Sequence, residues 1–365
     1  MKSNKPRLIL TGGFLGAGKT TLLHESTKLL LEAGSSVALI TNDQASGLVD
    51  TTRLLKNGVK VEELSGSCFC CDFNGFLEVI NKLGMDNPPD YILAEPVGSC
   101  TDLSATIVQP LKDLYADKLS IAPLTVLADP AKLPAILDGG TAGLHPSAAY
   151  IFRKQLEEAD VILITKTDLL ETRELLDLKG EIHHRYPDAI VADVSAKMGK
   201  GISSWVEMIM DHHASGRKIL RLDYDTYAEG EAVMGWLNTS LLLNGNRIDW
   251  NEFVRAFLDQ LQRQLIDDEI AVGHIKLILE NGPKYVMGNL TDAKEEHDLV
   301  GIAGVSDSAK MIINARVELP PESLDILVKR ILEIVTKPAI EMEILTWNCI
   351  NPGYPKPTHR YDRVI

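Results

Sequence analysis

Two short stretches combine residue types and spacing that do chemistry. In "GGFLGAGKTT", Gly13 is followed after four residues by Gly18-Lys19-Thr20, between an apolar run (RLILT, residues 7–11) and a leucine-rich stretch of helical spacing. Glycines there let backbone N–H groups face phosphate oxygens, a lysine neutralises the β/γ oxygens, and a threonine hydroxyl ligates Mg²⁺. Gly16, Ala17 and Thr21 belong to the same cradle. The second stretch, "SGSCFCC", packs Cys68, Cys70 and Cys71 into four positions of a chain that holds five cysteines. Such near neighbours close almost no loop, which argues against a structural disulfide. A soft-metal site, a redox pair or inert buried thiols remain. Thiolates favour Zn²⁺, Cu⁺ and similar soft ions, and Zn²⁺ takes four N/S ligands. Two or three ligands from this cluster leave a place for Asp43, a water, Cys100 or a partner's residue, and an incomplete shell suits transfer.

Further residues bear on a nucleotide. "ITKTD" (164–168) follows an apolar strand at the position where GTPases carry N-K-x-D, with Thr165 in the asparagine's place and Lys166 and Asp168 kept. An aspartate there accepts hydrogen bonds from guanine N1 and N2. Taken alone the stretch is equally a helix N-cap. Ser195-Ala196-Lys197, one strand later, is similar to the segment that meets guanine O6 through its backbone, and tips the choice to guanine. "YILAEPVGS" sets Glu95 at a strand end with Gly98 three residues on, so the carboxylate reaches Mg²⁺ or the attacking water and the glycine senses the γ-phosphate. Asp43 and Asp50 in "TNDQASGLVD" offer switch-region carboxylates, and Asp43 is otherwise a plain loop residue. His183-His184 read as a solvated helix face, and His274 as a core residue.

The elements that position these groups follow from periodicity. Runs at 36–42, 91–95, 122–129, 160–166 and 189–196 are continuously apolar, as strands buried on both faces are. Helical stretches, among them 147–158 and 171–185, separate them, which gives an α/β fold with a mostly parallel, doubly wound sheet. Beyond 214–217 the order changes to α+β and resembles a split βαβ sandwich. Strands are expected in "KILRLDY", "AVMGWLNTSLLL", "KMIINARVEL" and "EMEILTW", with helices at "WNEFVRAFLDQLQRQL" and from Pro321 to about 335. A hairpin is expected at Asn281-Gly282. The expected domains are 1–215, 216–345 and a proline-rich extended tail, 346–365.

A net charge of -14 over 365 residues argues against nucleic-acid and anionic-membrane surfaces. No apolar run approaches the roughly 20 residues that span a bilayer. The basic, partly apolar start has neither a long apolar region nor a cleavage site, and the few clustered thiols point to a reducing cytoplasm.

Together "GGFLGAGKTT", "TNDQASGLVD", "SCFCC", "EPVG" and "QLEEADVILITKTDL" resemble the CobW family of SIMIBI-class P-loop GTPases over roughly residues 7–200. The resemblance implies a GTP hydrolase that acts as a metallochaperone or insertase. In that role it would hold Zn²⁺ or Co²⁺ at Cys68, Cys70 and Cys71 and Mg²⁺ at Thr20, Asp43 and Glu95, and deliver the transition metal to a client metalloprotein. Lys19, Glu95 and Asp43 would be the catalytic residues, GTP/GDP the ligands, and a homodimer is a further expectation. An alternative is a GTPase that assists a cobalamin- or corrinoid-dependent enzyme or methyltransferase. Departures from the family are Asp43 for its glutamate, Ser67 for a glycine, Thr165 for the asparagine, and only His212-His213 where many members carry a histidine-rich stretch.

Overall fold

A computed structural model of the chain describes residues 5–43, 60–65, 68–83, 88–212, 214–294 and 297–365. Asp50 and the side chain of Asp43 lie outside what is described. The described residues divide into two compact units. Residues 5–43 and 60–230 form the first together with Tyr354–Ile365, and Glu231–Gly353 form the second.

In the first unit, β1 (Arg7–Gly13), α1 (Lys19–Glu32), β2 (Val37–Asp43), β3 (Lys60–Ser65), α2 (Phe73–Lys82) and β4 (Tyr91–Glu95) come first. A π-helical turn (Ser104–Val108) then leads into α3 (Gln109–Leu114), followed by β5 (Ser120–Ile121), β6 (Thr125–Ala128) and α4 (Leu133–Leu137). Next come α5 (Pro146–Glu158), β7 (Val161–Ile164), α6 (Thr172–Arg185), β8 (Ile190–Asp193) and α7 (Ile202–Asp211). The sheet order is β3-β2-β4-β1-β6-β7-β8, with β5 beside β1, and every pairing is parallel. The apolar runs lie in its middle. Leu8, Ile92, Leu93, Val126, Ile162 and Leu163 are fully buried, as a sheet covered by helices on both faces requires.

Parallel pairing has a consequence for the site. The carboxyl ends of all these strands fall on one edge, where ligands of open α/β sheets bind. That edge gathers Gly13 from β1, Asn42 and Asp43 from β2, Glu95 from β4, Asp129 after β6, Thr165-Lys166 after β7 and Ser195 after β8.

"KILRLDY" is not a strand; residues 214–223 carry no helix or strand. Its backbone hydrogen bonds go elsewhere. Just before it, Gly216 and Arg217 donate their N–H groups to the buried Asp160 carboxylate at 2.6 and 3.1 Å; within it, Asp223 N–H donates to the Tyr150 hydroxyl at 2.8 Å and the Leu220 carbonyl accepts from Arg360 at 2.9 Å. With side chains supplying the partners, the alternation of apolar residues had no ladder to serve. Helix α8 (Tyr224–Ala232) follows.

The second unit runs β9 (Gly235–Asp249), α9 (Trp250–Asp267), β10 (Val272–Asn281), β11 (Lys284–Leu290), β12 (Asp298–Ile302), β13 (Val305–Val317), α10 (Pro321–Thr336) and β14 (Ile340–Ile350). Its antiparallel sheet has the order β12-β11-β10-β13-β9-β14, so β13 lies between the two strands joined by α9: a split βαβ arrangement. The β10–β11 hairpin turns at Gly282, whose φ of 59° suits a glycine. Asp249 caps α9 by accepting from the N–H groups of Asn251 and Glu252, and the helix buries Trp250, Phe253, Phe257, Leu261 and Leu265 against the sheet. Each such side chain contributes about 1.5–3 kcal/mol.

Candidate nucleotide and metal site

The loop after β1 is shaped by its glycines. Gly13 has φ of 132°, and a Cβ there would lie 2.6 Å from the Leu127 carbonyl oxygen, so only glycine fits between β1 and β6. Gly16 and Gly18 also have positive φ, and Ala17 N–H donates to Phe14 O at 3.2 Å. The loop therefore curls around Lys19, whose ammonium donates to the carbonyls of Gly13 at 2.7 Å and Phe14 at 3.3 Å. Lys19 and Thr20 are buried in the first turn of α1, and Thr21 is half-buried beside them. The helix presents the N–H groups of its first turn and its positive dipole end to this loop.

The hydroxyl of Thr20 lies 3.0 and 2.9 Å from the two carboxylate oxygens of Glu95, which is itself buried at the end of β4. Three residues on, a Cβ added to Gly98 would meet Leu15 Cδ2 at 2.6 Å and Lys19 Nζ at 3.1 Å. Gly98 thus touches the ammonium that the sequence assigns to the phosphates.

At the other end of the same edge, Lys166 adopts φ of 52° and its ammonium pairs with Asp129 at 2.7 Å. Asp168, on a short 3₁₀ turn (Thr167–Leu169), accepts a hydrogen bond from the Ser195 hydroxyl. Ser195 also accepts from Met198 N–H at 3.2 Å, which closes the turn carrying Ala196 and Lys197. The residues expected to read a base therefore meet, with Lys197 exposed at the rim. Thr165 is buried and its hydroxyl donates to the Ala128 carbonyl at 3.3 Å. Asp129, which orients Lys166, has no motif of its own; only its place after β6 singles it out.

The cysteines gather as well. The sulfur atoms of Cys68, Cys70 and Cys71 all lie within 4.8 Å of one another. Cys68 and Cys70 are 2.9 Å apart, well beyond the roughly 2.05 Å of a disulfide, and all five cysteines are free thiols. Cys100 is buried on the loop after β4 and bears on the titration of Cys68 and Cys70. Hydrogen bonds from Cys100, Cys70 and Cys71 hold the Cys68 thiol well below its ordinary range, so the cluster stabilises a thiolate there. The same bonds seen from their other partner raise Cys70, and Cys71 is pushed up to about 11 by its bond to Cys68. Cys349 stands in the second unit, where its thiol donates to the Pro321 carbonyl.

Three anchors fix the cluster, and none is visible as a motif. From β2, Asn42 Nδ2 donates to Leu64 O at 3.0 Å while its Oδ1 accepts from Phe69 N–H at 2.9 Å. From the helix that follows, Asp72 caps α2 by accepting from Gly75 N–H, and Phe69 stacks on Phe76 with ring centroids 4.4 Å apart. From the tail, Thr358 N–H donates to Cys70 O at 2.9 Å, its hydroxyl to Cys71 O at 3.1 Å, and Lys356 N–H to the Cys71 sulfur at 3.3 Å. The tail runs on to Arg360, which pairs with the buried Asp102 at 2.7 Å, and to Tyr361, whose N–H donates to Ala105 O.

His183 and His184 are exposed in the last turn of α6, where cations favour the helix dipole, and His274 is half-buried on β10.

Residues 7–192 match the model of the CobW/HypB/UreG nucleotide-binding domain. "Zinc chaperone CobW" of Sinorhizobium sp is 27% identical over 201 residues, covering 49% of this chain and 56% of that protein. "Zinc-regulated GTPase metalloprotein activator 1" of Dictyostelium discoideum is 28% identical over 209 residues, covering 48% of this chain and 43% of that one. The chain thus spans about half the length of these curated relatives. Among solved structures, the hydrogenase maturation factor HypB of Archaeoglobus fulgidus aligns at a TM-score of 0.39 and 17% identity, covering 57% of this chain and 90% of that one. Among the described residues, no helix is long and apolar enough to cross a membrane.

Proposed function

Because the chain belongs to the CobW/HypB/UreG family through its nucleotide-binding domain, we propose that it is a GTPase that carries a transition-metal ion as cargo. The ion, zinc or cobalt, sits on the thiolates of Cys68, Cys70 and Cys71 and passes to a client metalloprotein in a step gated by GTP. The observation that carries this reading is the position of the cysteine cluster. Asn42 hangs it from the end of β2, and β2 pairs directly with β4, whose Glu95 is bonded to Thr20 of the phosphate loop.

In this reading Lys19 leaves the carbonyls of Gly13 and Phe14 for the β/γ-phosphates, and Gly98 meets the γ-phosphate beside it. Asp168 accepts from guanine N1–H and N2–H, and the turn of Ser195, Ala196 and Lys197 faces O6. A hydroxyl and a carboxylate are the hard oxygen donors that Mg²⁺ prefers, so Thr20 and Glu95 fit as its ligands, and Asp43, at the end of β2, is proposed as the third. Bound there, the ion neutralises phosphate charge. Glu95 and Asp43 then orient the attacking water while Lys19 steadies the charge that leaves.

The test is a Zn²⁺ and Co²⁺ titration of the parent and of Cys70→Ser/Cys71→Ser, each with GDP and with a non-hydrolysable GTP analogue. The parent should bind one ion with an affinity that differs between the nucleotides, and the double variant should lose it. Equal affinity in the two proteins, or in the two nucleotide states, would refute gated carriage. A GTPase rate of zero in the parent would refute the hydrolase.

A further inference from the structure

Gln155 and Glu158 belong to "QLEEADVILITKTDL", a stretch that ends in the base-reading residues, yet no nucleotide or metal contact falls to them. Both stand on α5, with Phe152 three residues before Gln155. Phe152 stacks on Phe14 of the phosphate loop, ring centroids 5.4 Å apart. Glu158 accepts from Thr101 Oγ1 at 3.3 Å and from Ser104 N–H at 3.1 Å, on the loop after β4. Residues three apart share a helix face, so one rigid element holds both the phosphate loop and the loop that follows Glu95.

Gln155 makes the central contact. It is 1% exposed, and its Nε2 donates to the Gly98 carbonyl at 3.0 Å and to the Cys100 carbonyl at 2.8 Å. Both partners are acceptors, so only the NH₂ end of the amide fits them. Cys100 N–H donates to Val97 O at 2.9 Å, closing the turn that the amide spans. The amide oxygen has no hydrogen-bond partner among the described residues. An apolar side chain would fill the space without a buried acceptor left unsatisfied, so packing alone does not account for a glutamine here. From the opposite side Gly98 lies against the phosphate loop, where a Cβ on it would meet Leu15 Cδ2 at 2.6 Å and Lys19 Nζ at 3.1 Å. Gly98 is therefore held between the amide of Gln155 and the ammonium of Lys19.

We propose that Gln155 is a positioning residue for GTP hydrolysis, which sets Gly98 at the γ-phosphate without touching the nucleotide itself. Without its two bonds the turn from Val97 to Cys100 relaxes away from Lys19. The γ-phosphate then loses a fixed neighbour, while the other phosphates keep the loop after β1. The inference rests on Gly98 as the γ-phosphate contact and adds what holds it there.

The test compares the parent with Gln155→Met, Gln155→Asn and Gly98→Ala. Gln155→Met keeps the length without a donor, and Gln155→Asn keeps the amide one methylene shorter. Mant-labelled GDP and a mant-labelled non-hydrolysable GTP analogue are titrated into each with Mg²⁺, and GTP turnover is measured at saturation. Gln155→Met should bind GDP within about twofold of the parent, bind the analogue roughly tenfold more weakly and turn over GTP roughly 10–100-fold more slowly, as groups misplaced by about 1 Å do. Gln155→Asn should fall between the two. A glutamine that serves stability alone would weaken both nucleotides in step and leave turnover at saturation unchanged. That result, or the parent's behaviour in Gln155→Met, would overturn the inference. Should Gln155→Met fail to fold, read from its GDP binding, the same comparison in Gln155→Asn decides. Gly98→Ala should also lose the analogue selectively. If it does while the Gln155 variants keep the parent's ratio of affinities, the inference falls and the role of Gly98 stands; if Gly98→Ala keeps that ratio, both fall.

Discussion

Replacing Asn42 with alanine removes the two hydrogen bonds by which β2 holds the cysteine segment. Asn42 is buried, and its amide donates to Leu64 O at 3.0 Å and accepts from Phe69 N–H at 2.9 Å. Both backbone partners would be left without these bonds in an enclosed place. A typical hydrogen bond is worth about 0.5–1.5 kcal/mol net, and a buried group left unsatisfied costs about 1–3 kcal/mol. Two such losses, partly relieved as the loop relaxes, give about 2–4 kcal/mol. For a unit of this size, roughly 2–4 °C is lost per kcal/mol, so the first unfolding transition should fall by about 4–16 °C. The cluster depends on this loop for its geometry, and disorder that costs about 1.4 kcal/mol weakens binding tenfold. Co²⁺ affinity should therefore drop roughly 10–100-fold, read by chelator competition beside differential scanning calorimetry. Asn42→Asp keeps the acceptor for Phe69 N–H and should recover part of the affinity. Asn42→Ala with the parent's transition and the parent's affinity would show that the bonds to Leu64 and Phe69 do not position the cysteines.

Lys19→Ala removes the ammonium that sits inside the phosphate loop, a loss of about 1.5–3 kcal/mol for a charge-assisted bond, and GTP affinity should fall roughly 10–100-fold in equilibrium dialysis. Asp168→Asn should weaken GTP by a similar factor and admit xanthine nucleotides; competition in which ATP matches GTP on the parent would refute guanine selection. Glu158 is fully buried, with Thr101 and Ser104 as donors, and burial followed by the nearby Asp102 raises its carboxyl well above the ordinary value. The folded state then holds a proton that the unfolded state releases above about 4.3, so stability is complete below that pH and declines as pH rises toward the folded value. Glu158→Gln keeps an acceptor for Ser104 N–H, turns its amide N–H to the Thr101 hydroxyl and cannot ionise; it should stay closest to the parent in urea unfolding near pH 4 and gain on it progressively toward pH 8, and a difference constant with pH would exclude the titration.

The phosphate loop and the sheet were legible because their signals are local. "GGFLGAGKTT" states its own turn, and runs such as "VILI" leave a doubly buried strand as the economical reading. Asp168 and Ser195 were found together because both sit just past consecutive strands, so a fold-level rule brings them to one edge. The partners of Asn42, the bond of Thr358 to Cys70, and the pairing of Arg360 with Asp102 have no such signal. Each joins residues tens to hundreds of positions apart, and nothing in the neighbouring residues records the approach. "KILRLDY" misled for the matching reason: its alternation is a local pattern, while Tyr150 and Arg360, whose side chains take the place of a strand partner, are distant.

The tail that meets the cysteines also sets a clock on their assembly. Lys356 donates to the Cys71 sulfur across 285 positions of sequence, and the whole second unit is translated between the two. At about 5–20 residues per second, the ribosome needs roughly 15–60 s to pass from Cys71 to Lys356. For that interval a nascent chain displays Cys68, Cys70 and Cys71 without the N–H group that later faces Cys71 and without Thr358 to fix their carbonyls. An ion captured then meets a looser shell than the finished protein offers. If the cysteines carry an ion, loading in the mature geometry waits on synthesis of the tail, and thiophilic ions met before then compete on different terms.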